Sequence, residues 1–206
     1  MGYILKEYSS VNELRNSALF ELSSFHWEAD EPYRPLVLAN AGIVNGEFVA
    51  VLKAYETDPR AVCLRRDDPV YTDSCLELFV ALVEGRAEYV NVECNSKGVF
   101  LSEFGSGKFN RRLVRDVTAL SPEVTPFVGS DSNGSYWGVT VALSKSFVAE
   151  VYGVDVSGVT FNSVKLNFYK CGDCCEVAHY AAFSPVTTLP PGFHNPDCFV
   201  EFKKEN

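Results

Sequence analysis

Three polar side chains interrupt two runs that otherwise read as buried strand. In Cys75-Leu-Glu-Leu-Phe-Val80 a period of two puts Cys75, Glu77 and Phe79 on one face and Leu76, Leu78 and Val80 on the other. In Tyr89-Val-Asn-Val-Glu-Cys94 the same period gathers Tyr89, Asn91 and Glu93 opposite Val90, Val92 and Cys94. If the two runs pair, one sheet face carries an aromatic ring, an amide and two carboxyl groups. That is the chemistry of a sugar or metal site. Opposed positions on neighbouring strands lie about 5 Å apart, so Glu77 and Glu93 also match the carboxyl pair of a retaining glycoside hydrolase. The plainer alternative makes Glu77 a core carboxylate paired with Arg111 or Arg112.

The elements that must position these groups are mostly strands. Asn45-Gly46 lies between Leu36–Val44 and Glu47–Tyr55 and predicts a hairpin, because a type I′ turn needs positive φ at both central residues. Strands are expected near 75–83, 87–94, 136–143, 159–170, 176–183 and 198–203, with a short edge segment bracketed by Pro122 and Pro126 and a turn at 132–135. Ser10-Val-Asn-Glu13 has capping-box spacing and predicts a short, peripheral helix over 10–17; Ser144–Tyr152, stopped by Gly153, predicts a second. Residues 57–73, rich in Pro and charge, and 184–196, stiffened by proline and tipped with Phe193 and His194, read as loops. His194 reads as a turn residue. About ten strands and two short helices predict an all-β sandwich of antiparallel strands, one domain over 1–206, without a repeat.

Composition excludes several classes. A net charge of -9, with 18 Lys plus Arg against 27 Asp plus Glu and no basic stripe, disfavours nucleic acid. No apolar run is long enough for a membrane span. The first residues, Met1-Gly-Tyr-Ile-Leu-Lys-Glu7, lack the pattern of a signal peptide. The seven cysteines are an odd set, several inside strand-like runs, and read as buried thiols of a reducing compartment; the expected location is therefore the cytoplasm, or outside the cell if a leader was trimmed. Cys171-Gly-Asp-Cys174-Cys175 is expected to be a turn carrying thiols, since a zinc site would want a second ligand pair and His179 alone is near in sequence. Gly105-Ser-Gly107 is not followed by the Lys of a phosphate loop, and Asn133-Gly-Ser135 is a glycosylation acceptor only in a secreted protein. Haem ligation by a Met and His pair is disfavoured because Met1 is the only methionine.

Several phrases arrive in one order: Asp73-Ser-Cys-Leu-Glu-Leu-Phe79, Tyr89-Val-Asn-Val-Glu-Cys-Asn95 with Gly98, Phe104-Gly-Ser-Gly107 ahead of Arg111-Arg112, Asn167-Phe-Tyr-Lys-Cys-Gly-Asp173, His179 before Phe183-Ser-Pro185, and Phe193-His-Asn-Pro196 with Phe199. Over about residues 35–203 this resembles the family 9 carbohydrate-binding modules, in particular the stand-alone family 9-like proteins. The resemblance implies a DOMON-related, jelly-roll-type sandwich that binds a glycan without cutting it, in the best-known members the reducing end of β-glucan or xylan between two aromatic rings. It also implies a role in polysaccharide catabolism, beside a glycoside hydrolase as partner.

Carried over by position, the two rings fall at Tyr71 and Phe193, both Trp in the well-known modules; the tryptophans of this chain, Trp27 and Trp137, lie elsewhere. Glu77 keeps the family acid, Asn91 and Glu93 fall on the strand of its polar contacts, and either Arg111 or Arg112 falls near its sugar-binding Arg. A pyranose offers axial hydrogens to a ring face and a rim of hydroxyls to polar groups, so this set suits it. No cofactor is expected. Calcium, which family members sometimes hold structurally, would fall to Asp67, Asp68 and Asp73, but no spaced Asp-x-Asp-x-Asp cage is present and a solvated acidic loop is the expectation.

Overall fold

The computed structural model describes residues 2–25, 33–188 and 192–205. Trp27, the start of the Pro32–Pro35 turn and residues 189–191 of the proline-stiffened loop lie outside the described residues. Thirteen strands form two sheets that share one member. In chain order they are β1 (Tyr3–Tyr8), β2 (Phe20–Glu21), β3 (Val37–Val44), β4 (Glu47–Ala54), β5 (Cys75–Ala81), β6 (Tyr89–Asn95), β7 (Phe100–Gly105), β8 (Arg111–Leu113), β9 (Glu123–Asp131), β10 (Gly134–Leu143), β11 (Ser163–Cys171), β12 (Ala181–Ala182) and β13 (Val200–Lys204). The strand order is β8-β7-β6-β5-β11-β13-β1-β3-β4-β10-β9, with β12 on β11 and β2 on β3.

The shared member is β1. Its first half, Tyr3 to Leu5, pairs with β13, and its second half, Lys6 to Tyr8, pairs with β3. Both pairings are parallel, a local departure within the antiparallel sandwich expected; the other ladders among the described residues are antiparallel. The facing sheets enclose one core, to which β5 and β6 send Leu76, Leu78, Val80, Val90 and Val92, and β3, β4 and β10 send Ala39, Ala41, Phe48, Ala50, Leu52, Val139 and Val141. Burying each large aliphatic or aromatic side chain here stabilises the fold by about 1.5–3 kcal/mol.

Local signals hold in detail. Asn45 (φ 52°) and Gly46 (φ 79°) make the β3–β4 hairpin turn. Helix α1 spans Val11–Arg15, shorter than expected; Ser10 accepts from the Glu13 amide at 3.2 Å, while the Glu13 carboxylate reaches back to Ser9 rather than Ser10. It is not peripheral: Leu14 is fully buried with Val44, Val49 and Val51 on the outer face of the β3–β4 sheet. Helix α2 (Lys145–Tyr152) starts at the Ser144 cap and ends at Gly153 in the left-handed region.

Three strand expectations are corrected. The segment from Glu176 to Phe183 is a turn-rich loop with only Ala181–Ala182 in strand, because its backbone folds over the end of β11 instead of extending beside it. The long strand starts at Ser163, not 159, because Val156–Gly158 forms a helical turn and Phe161 takes positive φ. The stretch around Pro126 is a nine-residue strand, and it tolerates proline because it is an edge. Strands β1, β2, β7 and β8 were not anticipated.

Candidate functional site

The faces assigned by periodicity are realised. Glu77 of β5 stands opposite Glu93 of β6, and Tyr169 of β11 stands opposite Glu77 on the other side. With the core residues pointing inward, Glu77, Phe79, Glu93, Tyr169 and Cys171 point to the outer face of this sheet. Loops roof it and leave a cleft of about 330 Å³ lined by Tyr71, Glu77, Phe79, Glu93, Lys108, Cys171, Asp173, Tyr180, Phe193 and His194.

Glu77 and Glu93 form the floor, 2% and 4% exposed. Burial, then the neighbouring Glu93 and Asp173 charges, push the Glu77 carboxyl well above the ordinary range. Burial likewise raises Glu93, to about 7, against the lowering effect of the amide hydrogen bond from Asn91. Asn91 Nδ2 donates to Glu93 Oε1 at 2.8 Å; Glu93 Oε2 is buried and has no hydrogen-bond partner among the described residues.

The structure distinguishes the two arginines. Arg111 packs behind the floor, its guanidinium 4.1 Å from the centre of the Tyr89 ring, donating to Asn91 Oδ1 and to the carbonyl oxygens of Glu103 (3.0 Å) and Gly105 (3.2 Å), with Glu103 as its ion-pair partner at 3.5 Å. Arg112, one residue on, is exposed and so leaves the site, a correction that follows from strand alternation. Asn91 does not line the cleft; it couples Arg111 to Glu93. Neither arginine ion-pairs with Glu77, so the alternative of a salt-bridged core acid is not realised.

The walls are aromatic. Tyr71 sits on a helical turn, Val70–Thr72, with its side chain 41% exposed. That turn is strapped to the Cys171–Cys175 turn: the Asp173 amide and Cys171 Sγ donate to the Tyr71 carbonyl, and the Cys174 amide to that of Thr72. Phe193 stacks on Tyr169 at 4.1 Å and 12°, and the Tyr169 hydroxyl donates to the Phe193 carbonyl at 3.1 Å, which fixes the loop over the sheet. His194 is more than a turn residue. Burial, then Arg111 and Lys108, lower it to about 4, so the ring is neutral, and its Nδ1 shares a hydrogen bond with the Tyr89 hydroxyl at 2.9 Å.

Of the seven expected residues, Tyr71, Glu77, Glu93 and Phe193 share the cleft, Asn91 and Arg111 support it, and Arg112 is outside. Sequence reasoning missed Asp173, Tyr180, Phe79 and Lys108. Phe79 carried a usable signal, its alternation with Glu77; the loop residues carried none. The acidic loop has protein partners: Asp73 accepts from the amides of Val62 and Cys63 and from Asn95, Asp68 from the amides of Leu64 and Arg65, and Asp67 pairs with Arg115 at 3.0 Å.

A second, larger cleft of about 750 Å³ opens at the end of the sandwich, over Glu56, Ser74, Arg60 and His179. Beneath it Lys170, fully buried, donates to Ser74 Oγ (2.9 Å), the Cys171 carbonyl (3.0 Å) and His179 Nε2 (2.7 Å), with Glu56 at 3.7 Å. Glu56 also accepts from Ser74 (2.7 Å) and from Trp137 Nε1 (2.9 Å). Gly172 makes room for this cluster, since a Cβ there would meet the His179 ring at 2.4 Å.

A two-sheet sandwich carrying an aromatic-walled, acid-floored cleft on one outer face is the architecture of a carbohydrate-binding module. The chain belongs to carbohydrate-binding family 9, whose family model matches residues 9–203. No curated protein matches it. Among solved structures it is similar to a protein of Bacteroides uniformis that is itself only proposed to bind carbohydrate, at 24% identity and a TM-score of 0.78 over 99% of both chains. It is similar also to a family 9 module of Caldicellulosiruptor kristjanssonii solved with cellotriose, at 12% identity and a TM-score of 0.58 over 99% of this chain and 94% of that one. The same organism's module with glucose gives 12% and 0.54 over 99% and 95%. At these identities the likeness to solved structures establishes the fold. The family establishes the role, carbohydrate binding.

Proposed function

We propose that the ligand is an oligosaccharide whose terminal ring lies in the cleft between Tyr71 and Phe193, with its hydroxyls on Glu77 and Glu93. The observation that carries this reading is the buried, unpartnered Glu93 Oε2 at the floor of an aromatic-walled cleft. An orphaned buried acceptor costs about 1–3 kcal/mol, and a sugar hydroxyl supplies the missing donor. Glu77 stands beside Glu93 on the floor, so the pair can hold two adjacent hydroxyls. Arg111 acts through Asn91, fixing Glu93, and so is a positioning residue.

Binding is favoured over hydrolysis by geometry. Glu77 and Glu93 lie side by side on one floor, whereas a hydrolytic pair must flank the scissile bond. The finer reading, recognition of the reducing end of a β-glucan or xylan, and any partnership with a glycoside hydrolase, are part of the proposal. Calorimetric titration with cello- and xylo-oligosaccharides beside their reduced alditols, with assay of the same mixtures for released sugar, tests all of it. Binding lost on reduction, without release, supports a reducing-end binder; release of sugar overturns the non-enzymatic reading; no binding of any member overturns the assignment of the cleft.

A further inference from the structure

Acidic side chains outnumber cationic ones around the cleft. Glu77, Glu93 and Asp173 converge on it, and none has an ion-pair partner among the described residues. The neighbouring cations are committed elsewhere: Arg111 to Asn91 and Glu103, Lys170 to Ser74, His179 and Glu56. Only Lys108 reaches the cleft as a lining cation, and His194 is neutral there. Asp173 is exposed at the rim and accepts from Cys171 Sγ at 3.4 Å, whereas Glu77 and Glu93 are buried, and a buried acid without a counter-charge is expensive unless a partner arrives. The Glu93 oxygen that lacks any donor points to where that partner goes. The walls suit the same guest, since ring faces of Tyr71 and Phe193 attract a cation as well as an apolar sugar face.

We infer that the cleft selects a sugar bearing an ammonium group, a 2-amino-2-deoxyhexose, whose charged nitrogen sits among Glu93, Glu77 and Asp173 while its ring lies against Tyr71 and Phe193. The inference rests on the sugar-binding reading of this cleft and specifies the sugar. A neutral hydroxyl satisfies the orphaned Glu93 oxygen but brings no counter-charge to that carboxylate; an ammonium does both, through charge-assisted bonds about twice as strong as neutral ones. Acidic sugars are excluded by the same charges.

The test uses three β-1,4-linked disaccharides that differ only at C2: cellobiose, the glucosamine disaccharide from chitosan, and its di-N-acetylated form. Each is titrated calorimetrically into the full chain at neutral pH. The expected result is binding of the glucosamine disaccharide about tenfold tighter than cellobiose, and of the N-acetylated form no tighter than cellobiose. In Glu93→Gln and in Asp173→Asn, each isosteric, the ratio between the first two ligands is expected to fall toward one. Cellobiose binding as tightly as the amine overturns the charge inference and leaves the sugar reading standing. A preference for the amine that survives both variants also overturns it. Failure of all three ligands to bind the wild-type chain overturns the sugar reading itself, and this inference with it.

Discussion

Glu56 and Glu93 are both buried carboxyl groups within one sandwich, yet they live under opposite regimes. At Glu56 burial works to raise the acid, but Lys170, Ser74, Trp137 and His179 together hold it below its ordinary value. At Glu93 burial wins, with one amide donor against it and one oxygen left without any. The first acid has everything it needs from the chain and fastens the end of the sandwich; the second lacks a donor and sits at the floor of a cleft. Completeness of the partner set, rather than burial or charge, separates the structural carboxylate from the one that awaits a ligand.

The largest effect expected from breaking the comparison is at the complete cluster. Lys170→Met removes the ammonium that faces buried Glu56 and should cost about 3–5 kcal/mol in urea unfolding. Adding Glu56→Gln should recover part of that loss. A single-variant loss under about 1 kcal/mol would show that the cluster is not structural.

The pH dependence separates the clusters by sign. The folded-state pKa of Glu93 is raised from 4.5 to about 7, so its contribution to stability is fully present below about pH 4.5 and is lost as pH rises through about 7. Glu56 is lowered when folded, so its contribution is present above its ordinary value and is lost as pH falls through the depressed one. Glu93→Gln should therefore flatten the fall in stability between about pH 4.5 and 7, raising stability at pH 8 by on the order of 3 kcal/mol and at pH 4 by almost nothing, read from denaturant midpoints at the two pH values. Equal gains at both would mean that the change acts through packing.

Smaller effects belong to the ligand. Glu77→Ala should abolish oligosaccharide binding in calorimetry, a loss of at least about 100-fold, and leave the melting temperature nearly unchanged. A large loss of stability with binding retained would move Glu77 to the structural class. Tyr71→Ala should weaken binding by about tenfold with no measurable effect on unfolding, because the ring is half out in solvent.

Much of this was legible in the sequence, for reasons that differ from place to place. Period two placed Glu77, Asn91 and Glu93 on a common face without any knowledge of what covers them, because alternation is a property of the strand itself. Asn45-Gly46 and the Ser144 and Gly153 caps were legible because they are local. Tyr71 and Phe193 came from resemblance, since nothing in their neighbours fixes where a loop ring points. Asp173 and Tyr180 were invisible because they reach the cleft through the turn after β11, which depends on bonds to Tyr71 and Thr72 a hundred residues earlier. The parallel strand β1 was missed because its exposed Lys6 and Glu7 dilute the apolar pattern, and its partners are at opposite ends of the chain. The pairing of Lys170 with Glu56 was hidden likewise: a lysine within a strand announces nothing about which acid folds over it.

The position of β13 has a consequence for how the protein is made. It is the last strand of the chain, yet it lies inside its sheet, between β11 and β1. Until it is synthesised, a slot stands open there, and two unpaired strand edges face it from either side. During translation the nascent chain therefore carries a gap of its own shape, fit for any extended segment that reaches it first. Loss of β13 would leave that slot to the matching strand of another copy.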